Sequence, residues 1–88
     1  MSEEADVFIS TGQFISGNAV LDFTFGQTLD DAYWSLTIVA RGTNTEVEIL
    51  RQRVVADAAG TRRLIYTVRN NTGNPTFFTR GAVRIPPR

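Results

Sequence analysis

The sequence predicts an all-β protein, a small antiparallel β-sandwich of about six to seven strands in an immunoglobulin-like or jelly-roll-like arrangement. Apolar and polar residues alternate with a period of two along most of the chain, which is typical of half-buried strands. Clusters of Gly, Asn, Asp and Pro separate the alternating runs at short, regular intervals. The chain of 88 residues, 42% of them hydrophobic, is long enough for one globular domain.

The first half of the chain contains three predicted strands. The opening strand covers residues 6–10 and resumes at residues 13–16 after Gly12. The next two strands lie in residues 18–25 and 32–41, where apolar residues recur at every second position. The apolar faces of these two strands are formed by Ala19, Leu21, Phe23, Phe25, Trp34, Leu36, Ile38 and Ala40.

Residues 45–56 allow two interpretations. As a strand, the segment begins with Val47 and Ile49 facing inward, but Leu50 then breaks the alternation. A β-bulge near Ile49 and Leu50 restores the alternation by re-aiming the side chains that follow. As a helix, the segment places a charged residue, Arg51, on its apolar stripe. We therefore favour the bulged strand.

Two further alternating runs, residues 63–70 and 76–85, complete the predicted sandwich. The apolar face of the first run is formed by Leu64, Tyr66 and Val68. In the second run Phe77 and Phe78 fall on opposite faces, and we predict that Phe78 points outward. Residues 64–78, LIYTVRNNTGNPTFF, resemble the closing hairpin of many immunoglobulin-like sandwiches. That resemblance implies a fold class and no function.

The composition excludes most enzymatic chemistry. The sequence contains no Cys, His or Lys. Their absence removes disulfide bonds, Cys or His metal ligands, histidine acid–base catalysis and Schiff-base lysines. Glu46 and Glu48 share a strand face, but a lone domain of this size is not expected to contain a deep cleft. We therefore expect no enzyme, no catalytic residues, no cofactor and no metal.

We expect three regions along the chain. They are an acidic N-terminal arm in residues 1–5, one β-sandwich domain in residues 6–85 and a C-terminal tail in residues 86–88. The start of the chain lacks the basic and apolar segments of a signal peptide. No apolar run approaches the roughly 20 residues of a membrane-spanning helix. The expected location is therefore the cytoplasm or a virion or similar particle, with no membrane partner.

Charge is unevenly distributed along a chain whose net charge is zero. Residues 1–50 contain eight acidic residues and one arginine, whereas residues 51–88 contain eight arginines and one acidic residue. Two interpretations remain open. Acidic and basic surfaces of neighbouring copies complement each other, or the charges pair within one molecule because the two halves interleave. The zero net charge and the lack of a recognisable motif argue against a nucleic-acid partner.

We predict a structural or assembly protein that self-associates or coats a larger symmetric body, such as a viral capsid decoration or another virion component. The outward faces of the most regular strands are uncharged, which is unusual for a solvated sheet. The expected interface combines the acidic arm, these faces and the arginine-rich surface. It comprises Glu3, Glu4, Asp6, Tyr33, Ser35, Thr37, Ile65, Thr67, Arg51, Arg53, Arg62, Arg63 and Arg69. The expected partner is another copy of the chain or a larger protein assembly.

The alternative function is a carbohydrate-binding, lectin-like module or a protein-binding module that uses its loops or the face carrying Tyr33. A sugar site needs an exposed aromatic ring beside polar side chains. Trp34 lies in the most regular run, so we expect it in the core, and only Tyr33 and Phe78 are predicted to point outward. Exposure of these two rings beside carboxylates favours a sugar, and coverage by a subunit favours assembly.

Overall fold

The computed structural model describes residues 5–86, apart from the side chain of Thr11. Six strands occur in this part of the chain: β1 (Asp6–Ile15), β2 (Val20–Leu29), β3 (Tyr33–Ala40), β4 (Val47–Ala56), β5 (Arg62–Asn70) and β6 (Thr76–Ile85). They form two antiparallel sheets of three strands each. The β6 sheet has the strand order β1-β6-β3, and the β5 sheet has the strand order β2-β5-β4. The predicted all-β sandwich is confirmed.

Four of the five connections between strands cross from one sheet to the other. Only β4 and β5 follow each other in sequence and also pair, so they form the one hairpin of the described residues. The hairpin implied for residues 64–78 is not formed, because β5 and β6 lie in different sheets. Each of these two strands is the centre of its own sheet, where its backbone is hydrogen-bonded on both sides.

The β4–β5 hairpin closes on a turn organised by Asp57. Its Oδ1 accepts hydrogen bonds from the backbone N–H groups of Ala59 and Thr61, each at 2.9 Å. Gly60 follows with a φ of 83°, a left-handed conformation that glycine adopts at little steric cost. The Asp and Gly of this turn therefore fix the register in which β4 meets β5.

Three strands contain register shifts, and the shift in β2 lies between Thr24 and Thr28. The other two lie where the sequence predicts irregularity. In β4 the shift lies between Ile49 and Arg51, which confirms the predicted bulge, with Leu50 as the extra residue. In β1 the shift lies between Ser10 and Gln13, where the alternation of the sequence also pauses. The bulge in β4 keeps the residues on both sides of it in one continuous strand, so the helical interpretation is wrong.

The core lies between the two sheets and draws on five of the six strands. Its buried hydrophobic residues are Ile15, Phe25, Leu29, Leu36, Leu64, Tyr66, Val68, Phe78 and Ala82. Aromatic rings bridge the sheets. Phe23 of β2 meets Phe78 of β6 edge to face at 5.2 Å, and Phe25 of β2 meets Trp34 of β3 at 5.5 Å. The predicted inward positions of β3 and β5 are confirmed.

The orientation predicted for β6 is wrong. Phe78 is fully buried, whereas Phe77 is 48% exposed. Arg80 and Arg84 also lie on the inner face of β6. Charged residues are typical of an outward face, which is why the pattern of the sequence predicts the opposite orientation. The two arginines are accommodated inside because the guanidinium of Arg80 lies 4.8 Å from the centre of the Phe25 ring, and Arg84 forms ion pairs at the end of the sandwich.

The opposite end of the sandwich is held by the side chain of Asn70, which is fully buried at the end of β5. Its amide nitrogen donates to the backbone carbonyls of Ser16 at 3.2 Å and Asn74 at 2.8 Å. Its Oδ1 accepts from the backbone N–H of Thr72 at 3.0 Å and from the hydroxyl of Thr72 at 2.7 Å. One buried amide therefore joins the β1–β2 connection to the β5–β6 connection.

Replacement Asn70→Ala is expected to lower the free energy of unfolding by about 2–3 kcal/mol, because buried carbonyl and N–H groups lose their partners. Urea unfolding measures this change. Asn71→Ala is the matched control, since it removes one exposed hydrogen bond to Glu46 and is expected to change the free energy by less than about 0.5 kcal/mol. Equal effects of the two substitutions would contradict the role of Asn70.

Candidate functional site

The outer face of the β6 sheet is uncharged. Its outward residues lie at alternate positions, in register across β1, β6 and β3. They are Val7, Ile9, Phe14, Tyr33, Ser35, Thr37, Val39, Phe77, Thr79, Gly81, Val83 and Ile85. Ile9 and Val39 are 66% and 61% exposed. A solvated sheet face normally carries charged side chains, so this surface, named the neutral face, has the character of a surface that another protein covers.

The outer face of the β5 sheet, named the charged face, has the opposite character. Its charged residues are Asp22, Glu48, Arg51, Arg53, Arg63 and Arg69. Ile65 and Thr67 lie among them on β5 and not beside the outward residues of β3, because β3 and β5 belong to different sheets. The structure therefore divides the predicted interface between two faces, and Asp6 and Arg62 belong to neither, because they lie in register with inward residues of their sheets. Within residues 5–86, Arg51, Arg63 and Arg69 form no ion pair.

Ion pairs within the chain join acidic residues of its first half to arginines of its second half. These pairs are Arg53–Asp22 (3.2 Å), Arg62–Asp31 (2.9 Å), Arg84–Asp6 (2.9 Å) and Arg84–Asp30. They favour the interpretation in which the charges pair within one molecule. Three residues of the predicted interface, Asp6, Arg53 and Arg62, already have a partner in their own chain. Glu3 and Glu4 lie outside the described residues.

Asp30 is the main hydrogen-bond acceptor at the end of the sandwich where β2 leads into β3. Its carboxylate accepts from Arg84 Nε at 2.9 Å, from the backbone N–H of Ala32 at 3.0 Å and from Trp34 Nε1 at 3.2 Å. The bonds from Arg84 and Ala32 stabilise the ionised carboxylate and lower the pKa of Asp30 from its ordinary value of 3.8 to about 2. Asp30 thus holds both the guanidinium of Arg84 and the ring of Trp34 in place.

Beside Asp30, the strands leave an open cleft of about 370 Å³ between the two sheets. The apolar part of its lining is formed by Leu29, Ala32, Trp34, Val54 and Leu64. Val54 shares the inner side of β4 with Gln52, yet it is 56% exposed. The sandwich is therefore open along this part of β4, and the cleft is an uncovered portion of its interior.

The sequence predicts no cleft and places Trp34 in the core. The structure shows a half-buried ring that packs in the core and also lines the cleft. The sequence contains one local signal of the cleft, because Asp30 lies only four residues before Trp34. In the structure its carboxylate accepts a hydrogen bond from the indole N–H of Trp34. The opposite wall of the cleft comes from β4 and β5, which are distant in sequence from Asp30 and Trp34, so alternation along one strand does not reveal it.

Other kinds of site find little support in the described residues. Within residues 5–86 no group of three or more acidic side chains is placed to hold a metal ion. No helix in the described range is long and apolar enough to cross a membrane. Compared with known proteins, the chain matches no family model, no curated protein and no solved structure. Within the described residues, the neutral face and the cleft beside Asp30 have the clearest features of binding surfaces, and a second, more open cleft lies beside Arg41 and Phe77.

Replacement Asp30→Asn is expected to reduce the change in the free energy of unfolding between about pH 6 and about pH 2. Because the folded-state pKa lies below the ordinary value, ionised Asp30 stabilises the fold above about pH 4, and this stabilisation is lost as the pH falls through about 2. The urea midpoint of the variant should therefore lie below that of the unaltered protein at about pH 6, and the difference should shrink toward about pH 2.

Asp31→Asn is the control for this measurement, because its carboxylate is 86% exposed in the pair with Arg62. An exposed pair contributes little, so its midpoint should follow that of the unaltered protein across the same range. A difference between Asp30→Asn and the unaltered protein that stays constant with pH would contradict the stabilising role of the Asp30 carboxylate.

Proposed function

We propose that the chain is a non-enzymatic assembly protein that pairs with a second copy of itself through the neutral face. One observation carries this proposal: the described outward positions of β1, β6 and β3 include no charged residue. Val7, Ile9 and Val39 are each more than half exposed, so this apolar surface is accessible. Contiguous exposed apolar surfaces mark protein interaction sites.

A second copy is a partner whose chemistry matches the neutral face. An uncharged face meets its own copy about a two-fold axis without placing like charges opposite each other. The charged face differs in this respect, because its four arginines outnumber its two carboxylates, so two copies of it would bring net positive charges together. Self-association through the neutral face therefore avoids a repulsion that the other sheet would meet.

The size of the neutral face supports the same contact. Residues in a strand rise about 3.4 Å and neighbouring strands lie about 4.8 Å apart, so three strands of this length make a face of about 34 by 14 Å. Two such faces together bury roughly 950 Å², which is close to the roughly 1,000 Å² that a biological interface is expected to exceed. A chain of 88 residues without cysteines gains stability from additional burial.

We further propose that the paired units coat a larger symmetric body such as a viral capsid. Four edge strands support this role, because β1, β2, β3 and β4 each have one unpaired backbone edge within the described sheets. An unpaired edge binds a strand of another chain through backbone hydrogen bonds. A dimer formed through the neutral face would therefore keep other surfaces for contacts with a particle.

The positions of two aromatic rings weigh against a carbohydrate site on the neutral face. Phe78 is buried and has no surface to offer a ligand. Tyr33 is 63% exposed, but it lies opposite Ile85, and the next outward residue of β3 is Ser35. The described outward positions include no carboxylate that would bind sugar hydroxyls beside Tyr33. Its surroundings are those of an apolar protein contact.

Ile9→Glu and Val39→Glu are each expected to convert the dimer into monomers, because a carboxylate buried against an apolar surface lacks a partner. Light scattering measures the solution mass of each variant. Thr24→Glu is the matched control, since it adds the same charge to the outer face of the β5 sheet. This control is expected to remain a dimer.

Salt distinguishes an apolar contact from a charged one. The unaltered protein is expected to be a dimer at both about 0.05 M and about 1 M salt, because burial of apolar surface is not screened. A dimer that dissociates at high salt would indicate a contact between the acidic arm and the arginines and would overturn the neutral face as the interface. A monomer at both salt concentrations would overturn self-association.

A further inference from the structure

We propose that the cleft lined by Trp34 binds one neutral sugar ring at the end of a glycan. The residues that line the cleft do not belong to the neutral face, so this site is independent of self-association. An aromatic ring, an amide and guanidinium groups converge at the cleft. Such a set of groups contacts both the CH groups and the hydroxyls of a sugar.

Trp34 supplies a fixed aromatic surface at the cleft. Its ring stacks on Phe8, with 5.7 Å between the ring centres, and meets Phe25 edge to face at 5.5 Å. Its N–H donates to Asp30 at 3.2 Å. The ring remains half-buried and lines the cleft beside Leu29. Because these contacts already fix the ring, a ligand that packs on it does not have to order it.

Gln52 and Arg62 supply hydrogen-bonding groups to the same cleft. Gln52 Nε2 lies 3.5 Å from the carbonyl oxygen of Leu36, at the limit of a hydrogen bond. Its amide therefore keeps donor and acceptor capacity for a hydroxyl. Arg62 places one terminal nitrogen 2.9 Å from Asp31, and a guanidinium has five N–H donors. Both side chains can therefore bind a ligand without giving up a strong contact.

The charge balance of the cleft favours a neutral ligand. Its two cationic lining residues, Arg53 and Arg62, each form an ion pair with a carboxylate of the same chain. Its acidic lining residue, Asp30, pairs with Arg84. An anionic or cationic ligand would compete with these pairs, whereas hydroxyl groups add hydrogen bonds to charges that stay paired.

The size and opening of the cleft favour a single ring. A volume of about 370 Å³ lies near the lower end of the range for small-molecule sites. Val54, which lines the open side, is 56% exposed, so a bound ring keeps a path to solvent. A terminal sugar fits this arrangement because the remainder of its glycan leaves through the opening.

The test uses the fluorescence of Trp34, which is the only tryptophan in the sequence. An array of neutral and acidic oligosaccharides is first probed with the full chain. The methyl glycoside of the terminal sugar of the best-bound glycan is then titrated into the protein. We expect binding to neutral glycans and a saturable shift in Trp34 emission.

Two substitutions at neighbouring positions locate the site. Val54→Arg introduces a long side chain into the cleft and is expected to weaken binding at least about tenfold. Val55→Arg is the matched control, because Val55 is 40% exposed and its side chain points to the opposite side of β4. This control should show the same emission shift as the unaltered protein. Urea unfolding verifies that both variants are folded.

Three results would overturn the proposal. Equal binding by the two variants would exclude the cleft as the site. Failure of the folded protein to bind any glycan on the array would exclude a sugar ligand, and a preference for acidic oligosaccharides would exclude the neutral class. The variant Ile9→Glu is expected to bind the same glycoside as the unaltered protein, so loss of self-association and loss of sugar binding are measured separately.

Discussion

The crossing of the chain between its two sheets is the constraint on which the rest of the structure depends. Since four of the five connections cross, neither sheet can be completed without the other, and the core between them forms from both at once. Asn70 secures this arrangement because its buried amide holds two crossing connections together. An apolar residue of the same size would keep the packing but would leave buried carbonyl groups without donors.

The same crossing determines where the charges lie. Strand β2 from the acidic half becomes a neighbour of β4 and β5 in one sheet, where Asp22 pairs with Arg53 across the outer face. In the β6 sheet the charges turn inward, where burial is costly without a partner. Arg84 has its partners in Asp6 and Asp30, and Arg80 is stabilised in part by the ring of Phe25. The outer face of that sheet is neutral as a consequence.

Alternation within a strand is a local property, so the strands, most of their faces and the β4 bulge could be predicted from the sequence. Sheet membership depends on contacts between distant residues, so alternation alone does not reveal that Ile65 and Thr67 lie on a different sheet from Tyr33. The reversed face of β6 has the same cause, because the partners of Arg80 and Arg84 are far away in sequence. Only the β3 part of the neutral face was therefore predictable, and the cleft was not.

The neutral face and the cleft lie on opposite sides of the β6 sheet, and this separation has a consequence for binding. Pairing through the neutral face would leave the β5 sheet of each copy outermost and would cover no residue that lines a cleft. The dimer would then carry two identical sugar sites at a fixed separation. A single ring in an open cleft binds weakly, but two linked sites raise the effective concentration at a surface that displays many glycans. Self-association would thereby convert a weak sugar site into a means of firm attachment.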